Sequence, residues 1–525
     1  MNATSRNGSL VPPAGWAASD EAASAGISPG FLVLATVAGA VLRLYLLTGQ
    51  SLWVDEMLTW QTIRPGIAAG FFEQIFDSIQ GPLFMAVTWP LLRLQDSALM
   101  LRLPAALAGI ATIPLFGLFV SRLLGGRAAR LAVLLLALNP FHVWYSQEGR
   151  GYAFLMMFSV LMGLAFLAVA RKNSGVRAAV FFALASAGAV WSNLGGMFLW
   201  AAMGVGVLLF HFPVSGRRWG LWGLAFGAGL VLVSPWLLKA SGIWAVDRIL
   251  PGSGTGDALR GETTFSFLAW PYSLQTFFYG YSLGPSLREL HQPDRLAVMR
   301  AAWPLLLAGA LPVGVGLLAG VVRAGRKRGP LLVWIVVPIL ILTVLAVRNV
   351  KPWNPRYVAM VFPWVLCLAA WGLAALPRRW GLAATVVLTC LTLWSLGGYY
   401  WNGRYAKADV RAASSFVDAH NNVGTPILAP VITSVFKYYY QGPEEVMDTY
   451  GLPPLKNAAE ADSFLDSTLS ERSGCWLVLA REWYFDPGGH LPRALSRRGH
   501  LRLMNKAPGV RVYLWSRQAA NEAKP

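Results

Sequence analysis

The sequence predicts an all-α polytopic membrane domain of about eleven transmembrane helices, followed by a C-terminal extracytoplasmic α/β domain. Three observations carry that expectation. The 525-residue chain is 55% hydrophobic yet only 13% charged, about half the charge of an ordinary soluble domain. Its apolar residues gather into blocks about as long as a bilayer is thick, and these blocks lack the polar stripe that a soluble helix keeps. Beyond Gly398 the composition turns to charges, prolines and strand-like runs.

Taken in order, residues 1–30 are a mixed segment without a basic n-region, so they read as a cytoplasmic N-terminus before a retained first span at 31–49. Further spans are expected at 103–121, 130–146, 152–170, 177–192, 195–212, 219–239, 301–322, 331–347, 356–376 and 380–398. Sidedness comes from five short basic gaps: Arg122/Arg127/Arg130, Arg171/Lys172/Arg177, Arg217/Arg218, Arg323/Arg326/Lys327/Arg328 and Arg378/Arg379. None contains an acid, and short loops rich in Lys and Arg stay in the cytoplasm. The block GPLFMAVTWPLLRL (81–94) is short and holds two prolines. Counted as a span it would put every basic gap outside, so it is expected to be a juxtamembrane or re-entrant helix in one external loop, 50–102. Residues 31–400 then form the membrane domain and 401–525 the external one. In the latter, 406–420 has the spacing of an amphipathic helix, and PILAPVITSVF (426–436), CWLVLA (475–480) and VRVYLW (510–515) are strand-like.

The net charge of +19 lies in those membrane-flanking gaps, which excludes nucleic acid as the partner and makes it the bilayer. The three cysteines and six histidines show no ligand spacing, and His142 reads as a buried, hydrogen-bonded histidine. Three external clusters can do chemistry. SLWVDEMLTW (51–60) sets Asp55 and Glu56 among apolar residues beside the membrane, where burying charge is costly without a partner or a task. WYSQEGRGY (144–152) packs Gln147, Glu148 and Arg150 between tyrosines in one turn. RNVKPWNPRYVAM (348–360) leaves Lys351 and Arg356 on the outer side against the positive-inside pattern, as a phosphate site would require. Carboxylates, cations and aromatic walls at the lipid–water boundary suit a substrate with its tail in the membrane and a phosphorylated sugar as its head. A carboxylate takes the proton of an attacking hydroxyl while cations stabilise the departing phosphate.

SLWVDE after the first span, YSQEGRGYAFL before the fourth and NPRY opening a late span together resemble the GT-C membrane glycosyltransferases. The likeness is to the branch of protein O-mannosyltransferases and lipid A aminoarabinose transferases, and it runs along nearly the whole chain. It implies an inverting glycosyltransferase of envelope glycan biosynthesis, taking its sugar from a polyprenyl phosphate and passing it to a lipid, glycan or protein acceptor. It places the enzyme in the cytoplasmic (inner) membrane and the reaction at the external face. It implies Asp55 as catalytic base, with Glu56, Gln147, Glu148, Arg150, Lys351, Arg356 and Tyr357 in the donor or phosphate site. Where the family often has His or Lys before two prolines, this chain has Gln80-Gly81-Pro82. A cation or metal ligand is missing there. No cofactor is required by the residues, and a divalent cation on Asp55, Glu56 and Glu148 is left open. Two other readings stay beside this one, a polytopic transporter and a non-catalytic envelope-assembly component. ILPGSGTGD (249–257) has no strand before it and is not expected to bind a nucleotide.

Overall fold

The computed structural model describes residues 26–64, 71–78, 80–171, 173–210, 216–241, 265–291, 294–324, 329–348, 350–421, 424–449, 452–469 and 472–517. The expectations for residues 1–25 and for 249–257 lie outside the described residues.

The helices follow the apolar blocks. They are α1 (Pro29–Leu44), α2 (Val54–Ile63), α3 (Phe71–Asp77), α4 (Pro82–Leu94), α5 (Ala98–Leu123), α6 (Gly126–Ala137), α7 (Pro140–Ser146), α8 (Tyr152–Ala170), α9 (Val176–Ser192), α10 (Gly196–Phe210), α11 (Gly216–Ser241), α12 (Ala269–Tyr279), α13 (Trp303–Ala324), α14 (Gly329–Val347), α15 (Phe362–Ala375) and α16 (Arg378–Trp401). A 3-10 turn, Pro355–Val361, leads into α15. The chain is a multi-pass membrane protein: among the described residues seven helices are long and apolar enough to cross a bilayer, and eight crossings result if α6 and α7, bent by 48°, form one broken span. α1, α9 and α10 stand where the sequence predicts crossings but are shorter apolar helices. At 1.5 Å per residue they fall somewhat short of a hydrocarbon core about 30 Å thick. Helices therefore occupy all the predicted places, while length and apolarity support seven or eight of the expected eleven as spans. α4, at 13 residues, is far too short to cross upright. Leu34, Leu230, Val231, Leu318 and Trp394 are exposed on the outer helix faces, as lipid contact requires.

The breaks have local causes. Between α6 and α7 the chain turns at Asn139-Pro140, where Pro140 has no N–H to give and the Asn139 side chain accepts from the His142 N–H. Buried Arg43, from the last turn of α1, donates to the carbonyls of Leu136 and Ala137 freed by that break, and to Nδ1 of His142 at 2.8 Å. His142 is thus buried and hydrogen-bonded, as expected.

The C-terminal part runs α17 (Val410–His420), β1 (Ile427–Leu428), α18 (Thr433–Tyr439), β2 (Val446–Met447), α19 (Ala458–Leu469), β3 (Gly474–Ala480), α20 (His490–Arg498), β4 (His500–Ala507) and β5 (Val510–Ser516). The strands form one mixed sheet in the order β2-β1-β3-β5-β4, with β1 parallel to β2 and β3, and β5 antiparallel to β3 and β4. Two expectations change. Of the strand-like run 426–436 only Ile427–Leu428 pairs. Pro430 cannot donate to a ladder, Val431 turns at φ 68°, and Thr433 begins a helix with its hydroxyl on the Ala429 carbonyl. β4 was not expected, because HLRLMNKA mixes basic and polar residues; it is a partly exposed edge strand. One face of this sheet does not end at solvent. Val410, Phe436, Trp476 and Val512 share a buried cluster with Leu52, Met57 and Ile63 around α2, Met85 and Leu92 of α4, and Leu101 of α5. The C-terminal part and the segment 50–102 thus have a common core, and that core holds the start of α2 in place.

Candidate active site at the membrane boundary

Asp55 and Glu56 occupy the first turn of α2, where negative charge is favoured by the helix dipole. Consecutive residues on a helix diverge by about 100°, so the two acids face different surroundings. Glu56 turns inward and is fully buried. Arg102 donates to it in a fork, Nε to Oε1 at 2.7 Å and Nη2 to Oε2 at 2.8 Å, and the Gly149 N–H donates to Oε1 at 2.8 Å. Arg102 also donates to the carbonyls of Leu47, Gln50 and Ser51, so one guanidinium binds the loop leaving α1 to the helix that carries the acids. Burial by itself would raise the Glu56 carboxyl; the charges of Arg102 and Lys407 and the hydrogen bonds outweigh it and hold the carboxyl down at about 2.

Asp55 turns the other way, onto a cavity of about 110 Å³. Arg356 Nη1 donates to its Oδ2 at 2.9 Å, and Arg150 Nη1 donates to its backbone carbonyl at 2.7 Å. Burial pushes the Asp55 carboxyl up, but Arg150, Arg356 and Arg481 overcome it, leaving it at about 2. The cavity is amphipathic. Asp55, Arg150, Lys351 and Arg356 line it together with Gln80, Tyr152 and Tyr357, and Leu58, Phe84, Leu194, Phe198 and Leu342 supply apolar lining. The cations are seated on aromatic faces: Lys351 Nζ lies 4.6 Å from the Tyr357 ring centre, and the Arg356 guanidinium 5.2 Å from Tyr357 and 6.0 Å from Tyr152.

The local sequence explains this placement. In NPRY the Asn354 side chain accepts from the Arg356 N–H at 3.1 Å and Pro355 takes the first helical position, so the 3-10 turn presents Arg356 and Tyr357 to the cavity. Gly81 and Gly151 approach the loop after α9 so closely that a Cβ on either would run into the Ser192 carbonyl. That contact brings Ser192–Gly195 into the cavity wall. Gln80, at the position where the expected cation is missing, accepts from the Thr59 hydroxyl at 2.5 Å.

Of the residues singled out from sequence, Asp55, Arg150, Lys351, Arg356 and Tyr357 converge on the cavity. Glu56, Gln147 and Glu148 do not line it. Gln147 donates to the carbonyls of Leu42, Arg43 and Tyr45 and accepts from the Tyr399 hydroxyl at 2.7 Å, which caps the end of α1. Glu148 is fully buried, accepts from Trp144 Nε1 at 3.1 Å and faces Lys407 at 3.8 Å. Burial pushes its carboxyl up. Arg102, Lys407 and the Ser192–Gly195 loop were missed. Arg102 had a signal, as the single cation opening an apolar block; Lys407 had none, since it lies far along the chain in an ordinary polar linker. The acids suggested as metal ligands do not fit a metal. Asp55 faces Arg356, Glu56 faces Arg102 and Lys407, and Glu148 faces Lys407. Among the described residues no group of three or more His, Cys, Asp or Glu side chains is arranged to hold one.

The chain thus combines a broken apolar helix bundle, a segment of short helices carrying an acid over a cationic cavity, and a C-terminal sheet packed on that segment, and this fold is shared with solved structures of membrane-embedded transferases. Residues 80–238 match the family described as dolichyl-phosphate-mannose-protein mannosyltransferase. Among solved structures the chain resembles ArnT from Cupriavidus metallidurans bound to undecaprenyl phosphate, at 16% identity and a TM-score of 0.54 over 95% of this chain and 100% of that one. The apo state of the same protein matches at 15% identity and a TM-score of 0.56, over 92% and 98% of the two chains. The oligosaccharyltransferase AglB from Archaeoglobus fulgidus, in complex with an inhibitory peptide and a dolichol-phosphate, matches at 12% identity and a TM-score of 0.52, over 94% of this chain and 74% of that one. No curated protein sequence matches the chain.

Proposed function

We propose that the protein is an inverting glycosyltransferase that takes a sugar from a polyprenyl phosphate at the external face of the cytoplasmic membrane. The observation that carries this reading is the amphipathic cavity, whose lining brings one carboxylate and three cations together with apolar side chains such as Phe198 and Leu342. In this reading the lipid tail lies along Leu342 and Phe198, and its phosphate exchanges into the contacts of Arg356, Lys351 and Arg150. The match to a dolichyl-phosphate-mannose family and the polyprenyl phosphates named with ArnT and AglB support the donor class.

The chemistry follows from the charges. As the bond from the anomeric carbon to the phosphate oxygen breaks, its electron pair passes to the phosphate, where the cations stabilise it. The acceptor oxygen bonds the anomeric carbon from the opposite face, and its proton goes to Asp55. A carboxylate held near 2 is a weak base, so proton transfer comes late, once the acceptor oxygen has become acidic through bonding to an oxocarbenium-like carbon. Lipid, glycan and protein hydroxyls all meet this requirement. Transfer from a panel of polyprenyl-phosphate sugars in proteoliposomes is the test. Asp55→Asn should lower turnover about 10²–10⁴-fold while donor binding persists. Equal turnover in the variant would remove Asp55 from the reaction.

A further inference from the structure

Behind the cavity wall lies a second charged cluster that the reaction just described does not use. Lys407 comes from the linker between α16 and α17, yet its ammonium is almost completely buried. It sits 3.6 Å from Glu56 and 3.8 Å from Glu148. The indoles of Trp53 and Trp144 flank it, with ring centres 5.3 Å and 5.4 Å away. Its linker is sewn to the stretch that precedes Asp55: the Lys407 N–H donates to Gln50 Oε1, the Ser51 hydroxyl donates to Asp409, and Arg411 donates to the carbonyls of Thr48 and Gln50.

The two carboxylates differ in need. Glu56 has the Arg102 fork and the Gly149 N–H. Glu148 has the Trp144 N–H on one oxygen, while its Oε1 is buried without a hydrogen-bond partner. Among the described residues Lys407 is within ion-pair distance of Glu148 and is the cation that acts on it most strongly, ahead of Arg356 and Arg150. A buried carboxylate without a counter-charge takes up a proton or pulls in a cation. Trp53 carries the consequence towards the reaction: it caps α2 two residues before Asp55, with Lys407 at one ring contact and Arg356 at another, 5.9 Å from its centre.

We propose that Lys407 is a built-in cation of this site: its ammonium occupies the place between Glu56 and Glu148 that a divalent metal would otherwise take, and by holding both acids it fixes the Trp53–Glu56 turn that presents Asp55. Lys407 is a positioning residue, not a catalytic one. The activity readout rests on the transferase reading above; the spectroscopic readout does not. In proteoliposomes, chelated wild type keeps its transfer rate, whereas Lys407→Met loses at least about tenfold in kcat with the KM for donor lipid nearly unchanged. Adding Glu148→Gln to Lys407→Met removes the stranded charge along with its partner and restores part of the rate. In infrared spectra at neutral pH, Lys407→Met gains a protonated-carboxyl band that wild type and the double variant lack. Loss of wild-type transfer on chelation with recovery on Mn²⁺ would overturn the proposal. So would an unchanged kcat in Lys407→Met, or a wild type that already shows the band. If the single variant fails to fold, a double variant that folds and turns over supports the proposal, and one that also fails to fold overturns it. Absence of transfer in wild type would strike the transferase reading and leave the infrared comparison to decide this one.

Discussion

Asp55 is paired with Arg356, and the charges of Arg150, Arg356 and Arg481 together hold its carboxyl down. On the proposed reading a donor phosphate would compete for Arg356, so binding of the lipid phosphate is expected to raise the Asp55 carboxyl from about 2 towards its ordinary value and free it for the acceptor. Arg356→Gln should therefore cost about 10²–10³-fold in kcat/KM by removing charge stabilisation of the phosphate, even though it unpairs the base; proteoliposome kinetics on one donor decide this. The pH dependence of stability has a definite sign. The Asp55 and Glu56 carboxyls are both depressed, from 3.8 and 4.5 to about 2. Their stabilisation is thus complete above the ordinary carboxylate range and is lost as pH falls from about 4 to about 2. Glu148, pushed up by burial, acts in the opposite sense, its unfavourable burial relieved by protonation as pH falls. Acid unfolding in detergent, followed by tryptophan fluorescence, should show a shallower loss across that window in Asp55→Asn than in wild type.

The elements that matter most are short ones held by a few polar knots. The fork between Glu56 and Arg102 ties α2 to the start of α5, with both side chains shielded from water. Arg102→Met leaves a buried carboxylate that keeps only Lys407 as counter-charge and should destabilise the protein by about 3–5 kcal/mol, whereas exchanging both partners for apolar residues of similar volume should cost much less. Thermal unfolding of the single and double variants measures the difference. Gly81 and Gly151 are a second knot, because both lie against the Ser192 carbonyl. Gly151→Ala should push the Ser192–Gly195 loop out of the cavity wall and, on the proposed reading, weaken polyprenyl-phosphate binding more than it lowers the unfolding temperature, which equilibrium binding and thermal unfolding separate.

At the scale of the whole molecule, the segment 50–102 and the C-terminal sheet share one buried cluster, so neither is independent of the other. Phe436 is completely buried in that cluster, opposite residues of the loop 50–102. Phe436→Ala should cost about 3–5 kcal/mol and increase proteolysis within both 50–102 and 410–516 together, as limited digestion with mass spectrometry can show. The length of the apolar blocks and the spacing of lysines and arginines were sufficient for a polytopic helical protein, for α4 as a helix too short to span, and for strands at 475–480 and 510–515. Those features rest on local periodicity and on the thickness of a bilayer, both readable along one chain. The acids and cations could be picked out for the same reason, since charge beside apolar residues is costly wherever it occurs. Their division of labour could not. That Asp55 faces the cavity while Glu56 is locked to Arg102, that Gln147 caps α1 instead of touching a donor, and that Lys407 reaches Glu148 from the far end of the chain were decided by packing. The partner of a buried charge is chosen by which segments meet in space, and no spacing within one segment encodes that.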